Sequence, residues 1–231
     1  MTQDPAGALL NSLQGCYVEQ VRKVAELCGF EAVNEYAIYQ LDPVSKQRIG
    51  PEILHAKEGT GDCCYRQCCG PCRGLTADIY VMGNNQLLAT YSKSQGLSWC
   101  GCGMCKAKAS VSTFGPEQKT IDVDSPSGCP GCTTLGFTIG NFEYSGPKSL
   151  CAQCPCFTYS FGMKDAKTGA QEGQLVKMKQ GCGDLVYKTN KFTVVFPSNA
   201  TPEDKVTMLA SVLHSDFNFF ERKRGRRLRR S

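Results

Sequence analysis

Residues 201–221 read Thr-Pro-Glu-Asp-Lys-Val-Thr-Met-Leu-Ala-Ser-Val-Leu-His-Ser-Asp-Phe-Asn-Phe-Phe-Glu, and this stretch decides the fold. Thr201 offers an N-cap hydroxyl, Pro202 suits the first helical position, and Glu203 and Asp204 place acids in the first turn, three signals that open a helix. Beyond them Val206, Leu209, Leu213, Phe217 and Phe220 form one apolar stripe at helical spacing, and Met208, Val212 and Phe219 a second. Thr207, Ser211, Ser215 or His214, and Asn218 leave only a narrow polar strip. A helix apolar around most of its circumference is enclosed by protein or lipid. The spacing predicts a central helix over 202–221.

The rest of the chain supplies strands to enclose it. Tyr36, Ile38 and Gln40 are expected to share one face; Ala77, Ile79 and Val81 alternate before the turn Gly83-Asn84-Asn85, and Leu87, Leu88 and Tyr91 follow, which reads as a hairpin. Comparable runs recur at Val111 to Phe114, Ile121 to Val123, Leu135 to Ile139, Cys156 to Phe161, Gln174 to Met178, Leu185 to Tyr187 and Phe192 to Phe196. About ten to twelve short strands at hairpin spacing indicate an antiparallel sandwich or barrel. Set around one apolar helix, they indicate a mainly β fold, a barrel of about twelve strands closed on a hydrophobic C-terminal helix. Val18, Val21, Val24, Ala25 and Leu27 suggest a short amphipathic helix within residues 11–30, stopped by Gly29. The organisation expected is a lead-in over 1–33, a barrel over 34–221 and a basic tail over 222–231.

Composition agrees with an ordered domain: of 231 residues, 41% are hydrophobic and 20% charged, outside the signature of disorder. The net charge of +5 is concentrated. Arg222, Lys223, Arg224, Arg226, Arg227, Arg229 and Arg230 account for seven cations in the last ten residues, leaving 19 basic against 21 acidic residues elsewhere. The body is thus no general nucleic-acid surface. The tail has three readings: a membrane-adsorbing patch, with ~1 kcal/mol per basic residue near an anionic leaflet, a nuclear-import signal, or a solvated end. No basic residue precedes Arg22 and no stretch has about 18 uninterrupted apolar residues, so neither a secretory signal nor a spanning helix is expected, and the protein is expected on the cytosolic side.

Sixteen cysteines are the loudest compositional feature. In a reducing compartment they read as metal ligands, acylation sites or small buried hydrophobes. Cys69/Cys72, Cys102/Cys105, Cys129/Cys132 and Cys151/Cys154 are CxxC pairs, and two converging pairs can hold a tetrahedral zinc ion. Cys129, Cys132, Cys151 and Cys154 have the most zinc-ribbon-like separation, so zinc is an alternative use of the thiols. Nothing marks a covalent nucleophile: His55 falls in an extended segment, and His214 reads as a hydrogen-bonded residue on the helix's polar strip. No catalytic residue is assigned.

Several segments resemble a known family. Leu27-Cys28-Gly29-Phe30-Glu31 followed by Asn34-Glu35-Tyr36-Ala37-Ile38 is similar to its G-F-E-x-x-N-x-Y-x-I opening; Asp62-Cys63-Cys64-Tyr65-Arg66-Gln67-Cys68-Cys69-Gly70-Pro71 is similar to its D-C-C-x-R-x-C-C-G-P block. Phe192-x-x-x-Phe196-Pro197 and the ending Asp216-Phe217-x-Phe219-Phe220-Glu221 also match. The family is the phospholipid scramblases, whose fold is similar to the tubby C-terminal domain. The resemblance implies a twelve-strand barrel around a C-terminal helix and transbilayer phospholipid movement at the cytosolic face of a membrane, the plasma membrane foremost, with a nuclear fraction through the tail. A non-transporting lipid- or protein-binding adaptor is the alternative. The resemblance further implies acylation (palmitoylation) at Cys100, Cys102 and Cys105, phospholipid membrane with an anionic leaflet as partner alongside protein partners, and calcium as cofactor. The segment matching the calcium loop, Lys188-Thr189-Asn190-Lys191, lacks acids, whereas calcium takes six to eight oxygens, usually several from carboxylates; weak or absent calcium dependence is expected.

Overall fold

The computed structural model describes residues 5–21, 33–59, 73–96, 108–114, 118–124, 136–147, 157–181 and 189–220. A short helix α1 (Pro5–Ser12) precedes twelve strands: β1 (Gly15–Gln20), β2 (Glu35–Leu41), β3 (Arg48–Glu58), β4 (Leu75–Val81), β5 (Leu87–Lys93), β6 (Ala109–Phe114), β7 (Gln118–Asp124), β8 (Gly136–Ile139), β9 (Phe142–Ser145), β10 (Tyr159–Asp165), β11 (Gln171–Lys177) and β12 (Lys191–Val195). Each strand pairs antiparallel with the next, and β1 closes against β12, so the sheet is an up-and-down barrel without an edge. At the seam Gly15 lies so close to β12 that a Cβ would stand 2.6 Å from the Val194 carbonyl oxygen; only glycine fits there.

Helix α2 (Pro202–Ser215) fills the barrel and continues into one π-helical turn, Asp216–Phe220, with every residue from Lys205 to Phe220 buried. It starts as the sequence predicts. The Asp204 N–H donates to Thr201 Oγ1 at 3.2 Å and the Thr201 N–H donates back to Asp204 Oδ2 at 3.0 Å, a reciprocal box that satisfies two otherwise orphaned donors. At the other end Phe217 stacks on Tyr91 and meets Tyr36 edge-on, at 6.0 and 6.1 Å between ring centres. Phe219 stacks on Phe161, and Phe220 packs against Tyr159 and Phe192.

The wall explains its own polarity. Ala77, Ile79 and Val81, then Ala89 and Tyr91, then Ala109 and Val111 are buried, while Asp78, Thr90, Ser92, Ser110 and Ser112 between them lie on the outer face. A membrane-spanning barrel shows the inverse, apolar outside and polar inside; this wall suits water outside and a helix within. Among the described residues no helix is long and apolar enough to cross a membrane.

Several expectations need correction. Val24, Ala25, Leu27 and Gly29 of the expected helix lie outside the described residues, while a helix occupies Pro5–Ser12 and Gly15–Gln20 is a strand. Cys16 and Val18 alternate inward there, and pairing on both sides to β2 and β12 overrides the helical spacing. The barrel therefore recruits residues ahead of 34. Gln40 does not join Tyr36 and Ile38: the register of β2 against β3 shifts after Ile38, so Leu41 turns inward and Gln40 outward. The enclosure expected of α2 does hold, and it covers even the polar strip: Thr207, Ser211, His214, Ser215 and Asn218 are all buried. Strands β1, β3 and β9 have no counterpart among the runs picked from sequence, and the run Leu185 to Tyr187 lies outside the described residues.

The two mouths differ. One carries the short connections 82–86 and 140–141 and receives the start of α2, where Lys119 Nζ reaches Glu203 Oε2 at 3.1 Å. Helix α1 packs there, and Lys205 Nζ donates to the carbonyls of Leu10, Asn11 and Leu13 at 3.0, 3.2 and 2.8 Å, a cation on the last carbonyls of a helix. The opposite, C-terminal mouth holds Phe220 and the ends of β1, β3, β5 and β11. Replacing Phe217 with alanine should cost about 3–5 kcal/mol in urea unfolding of the purified protein. A loss under about 1 kcal/mol would show that the helix end does not anchor the barrel.

Candidate functional site

The inward alternation of four strands ends on a polar rung. Val18 is followed inward by Gln20, Ala56 by Glu58, Tyr91 by Lys93 and Leu175 by Lys177, and all four polar side chains are buried at the C-terminal mouth. Arg73, just before β4, joins them at 2% exposure. Its guanidinium donates from Nε and Nη2 to Glu58 Oε1, at 3.2 and 3.0 Å. Glu58 Oε2 accepts from the backbone and side-chain nitrogens of Asn34 at 3.1 and 2.9 Å. Gln20 Nε2 donates to Asn34 Oδ1 at 2.6 Å, while its Oε1 accepts the Asn190 N–H at 3.0 Å. Breaking such a buried charged network strands an uncompensated ion, which costs several kcal/mol.

Asp216 ties the helix to this network. Its carboxylate accepts Tyr36 O–H and Asn190 Nδ2–H, each at 2.6 Å. Burial pushes its pKa up to about 6, against the hydrogen bonds of Tyr36 and Asn190 and the nearby charges of Lys177 and Arg73, which pull it down. Two residues earlier on the helix, His214 meets the Tyr91 hydroxyl at 3.0 Å and Asn218 Nδ2 at 3.2 Å, both through Nδ1. Burial, helped by the charge of Lys93, lowers its pKa to about 3, so the ring is neutral and Nδ1 can accept from both. The expectation of a hydrogen-bonded His214 holds. His55, on the same strand as Glu58, pairs instead on the wall with Glu52 at 2.7 Å.

Above the rung lies a groove of about 900 Å³, running from Glu58, Arg73 and Lys93 inside the mouth to Ser92, Ser110 and Asp122 on the outer face. The sequence did not single out Asp216, Glu58, Arg73, Lys93 or Lys177 as site residues. The available signal was the break of each inward alternation by a polar residue at the strand's last inward position.

Cys100, Cys102 and Cys105, the zinc alternative Cys129, Cys132, Cys151 and Cys154, and the tail cations Arg222, Lys223, Arg224, Arg226, Arg227, Arg229 and Arg230 all lie outside the described residues, as does Lys188. Of the calcium-loop match, Thr189 and Asn190 are buried and Lys191 pairs with Glu19 at 3.5 Å. Among the described residues no cluster of three or more His, Cys, Asp or Glu is arranged to hold a metal ion.

A helix-filled, edgeless antiparallel barrel with a charged rung at one mouth defines the structural class. A protein-family model described as Scramblase matches residues 1–222, and the chain belongs to that family. It is 28% identical over 222 residues to phospholipid scramblase 2 of Bos taurus, covering 90% of this chain and 68% of that protein. It is 27% identical over 218 residues to phospholipid scramblase 1 of Homo sapiens, covering 88% of this chain and 61% of that protein. The chain thus spans about three-fifths to two-thirds of the length of these relatives. No solved structure matches it.

The two buried titrations on α2 oppose each other. Asp216, raised from 3.8 to about 6, takes up a proton in the folded state first, so between those values it favours the fold increasingly as pH falls. His214, lowered from 6.5 to about 3, is protonated first in the unfolded chain and erodes stability over the same acidification. In urea unfolding, the wild type should therefore gain on Asp216→Asn as pH falls from 6 toward 4. Parallel profiles for the two proteins across that window would contradict the assignment.

Proposed function

We propose that the chain is a phospholipid scramblase-like protein, moving phospholipids between leaflets from the cytosolic face of a membrane, the plasma membrane foremost, with no covalent step. The observation that carries this reading is the family match across residues 1–222, with relatives bearing the phospholipid scramblase name. The geometry adds support for a membrane-facing mouth. Ser94 and Lys108, which flank the segment holding Cys100, Cys102 and Cys105, bond to each other at the C-terminal mouth. Phe220, the residue before Glu221 and the basic tail, packs at the same mouth. One acyl chain gives marginal, reversible membrane binding, and stable anchoring takes a second signal; acylated cysteines and the tail cations would supply two signals on one side.

A second reading, a non-transporting lipid- or protein-binding adaptor, is favoured by the filled barrel. A headgroup crossing a ~30 Å hydrocarbon core needs a polar track, and the interior is occupied by α2. Transport under the first reading therefore proceeds through an assembly or along the outside of the barrel. Fluorescent-lipid transport by the purified protein in liposomes separates the two: transport supports the first, whereas stable vesicle binding without transport selects the adaptor.

Calcium is expected to leave that transport unchanged. The Asn190 amide is spent on Asp216, and Lys191 stands beside Glu19. Calorimetric titration should show no micromolar calcium site; one that vanishes in Asn190→Ala would reverse the conclusion.

Removing residues 222–231, or changing Cys100, Cys102 and Cys105 to serine, should each move the protein toward the soluble fraction of cells. Added salt should weaken the tail's share alone. A double variant as membrane-bound as the parent would rule out two-signal attachment.

A further inference from the structure

We propose that the groove at the C-terminal mouth is a binding site for a phosphate-bearing anion, the group shared by a phospholipid headgroup and a free phosphate compound. The inference deepens the scramblase-like reading and rests on it only for the lipid as a source.

Size and lining set the ligand class. About 900 Å³ is within the range of small-molecule sites, but the lining differs from the usual apolar one. Leu75, Ala109 and the aliphatic stems of the long side chains give it apolar walls, and among these stand the hydroxyls of Thr76, Ser92, Ser94 and Ser110 and the cations Arg73, Lys93 and Lys108. The convergent cations and hydroxyls suit a headgroup-sized polar molecule.

Charge sets its sign. Three cations face two carboxylates, Glu58 and Asp122. Arg73 and Glu58 are paired with each other and Asn34 takes the other Glu58 oxygen, so that pair cancels and the remaining lining charges are Lys93 and Lys108 against Asp122. Asp122 is exposed on the outer strand face, where water screens it. Lys93 is held at 4% exposure on the groove's inner wall. A buried ammonium strengthens its interaction with an arriving anion because little water screens it. Ser94 Oγ accepts the Lys108 N–H at 2.8 Å, which leaves its own hydrogen for a further acceptor. Cations and hydroxyl donors converging on one concavity recognise the oxygens of a phosphate; a cationic ligand would meet repulsion.

The test uses the full chain. Amide resonances are followed by NMR while inorganic phosphate, or separately glycerophosphoserine, is added. Co-flotation with phosphatidylcholine vesicles, with and without phosphatidylserine, is measured in parallel. The expected result is a saturable shift at Ser92, Ser94 and Ser110, weakened about tenfold in Lys108→Glu, the loss of one charge-assisted contact. Lys164→Glu, an equal change of charge on exposed β10, should leave the shift intact. Lys93→Met should abolish it, and Lys108→Glu, at an exposed position, keeps the test decisive if Lys93→Met does not fold. Displacement of the chain from phosphatidylserine vesicles by glycerophosphoserine identifies the headgroup as the source; saturable shifts without such displacement identify a free phosphate compound. Absence of a saturable shift with both soluble probes, or equal weakening by Lys164→Glu, would overturn the proposal. Lipid transport with no phosphate response would sink the groove and spare the scramblase-like reading; a phosphate response without transport would do the reverse.

Discussion

Everything in this molecule follows from the need to enclose one helix. From Val206 to Phe220 the chain offers water only a narrow polar strip, and all of it is buried. At about 25 cal/mol per Å² of apolar surface, leaving such a helix exposed would cost more than the whole net stability of an ordinary domain. Twelve strands make a ring wide enough to hold it, and closing β1 on β12 leaves no edge to aggregate. Gly15 at the seam and Lys205 on the carbonyls of α1 are the local devices that let the ring close and stopper one end.

The same enclosure concentrates chemistry at the opposite end. Buried charge is costly unless paired, yet Glu58, Arg73, Lys93, Lys177 and Asp216 are all interior at the C-terminal mouth. The contacts tie strands to helix: Asp216 reaches Tyr36 on β2, and Asn190 before β12 reaches both Asp216 and Gln20 on β1. Residues near the two ends of the chain are thereby clasped across 180 positions. The interior is occupied by α2, so under the proposed function lipid is handled at the mouth or along the outer wall.

Much of this was readable from residues alone. The N-cap at Thr201, the apolar helix and the alternating strands announced themselves because each is a local pattern repeated several times. The ending Asp216-Phe217-x-Phe219-Phe220 matched a family motif, and the structure gives its physical content: Asp216 takes the Tyr36 and Asn190 bonds while the three phenylalanines fill three sectors of the ring. What stayed hidden was non-local. Gly15–Gln20 carries a helix-compatible pattern and becomes a strand only because β2 and β12 flank it. Lys93 and Lys177 look like ordinary strand ends until the barrel closes and shows them facing inward. Gln40 was misassigned because a shift in register leaves no trace in hydropathy.

The account holds that α2 remains inside the barrel when the protein meets a membrane. Its fourteen helical residues span only ~21 Å, and releasing them would strip Asp216 and His214 of their partners in hydrocarbon, where polar groups are costly. Hydrogen exchange of the full chain, free and bound to phosphatidylserine-containing vesicles, tests this most directly. The amides from Met208 to Phe217 should be as protected on the vesicles as in solution, together with those of β5 and β12. A selective loss of protection along β5 and β12 on binding, with the helix amides still protected, would mean that the helix leaves the barrel for the bilayer, and would contradict the account.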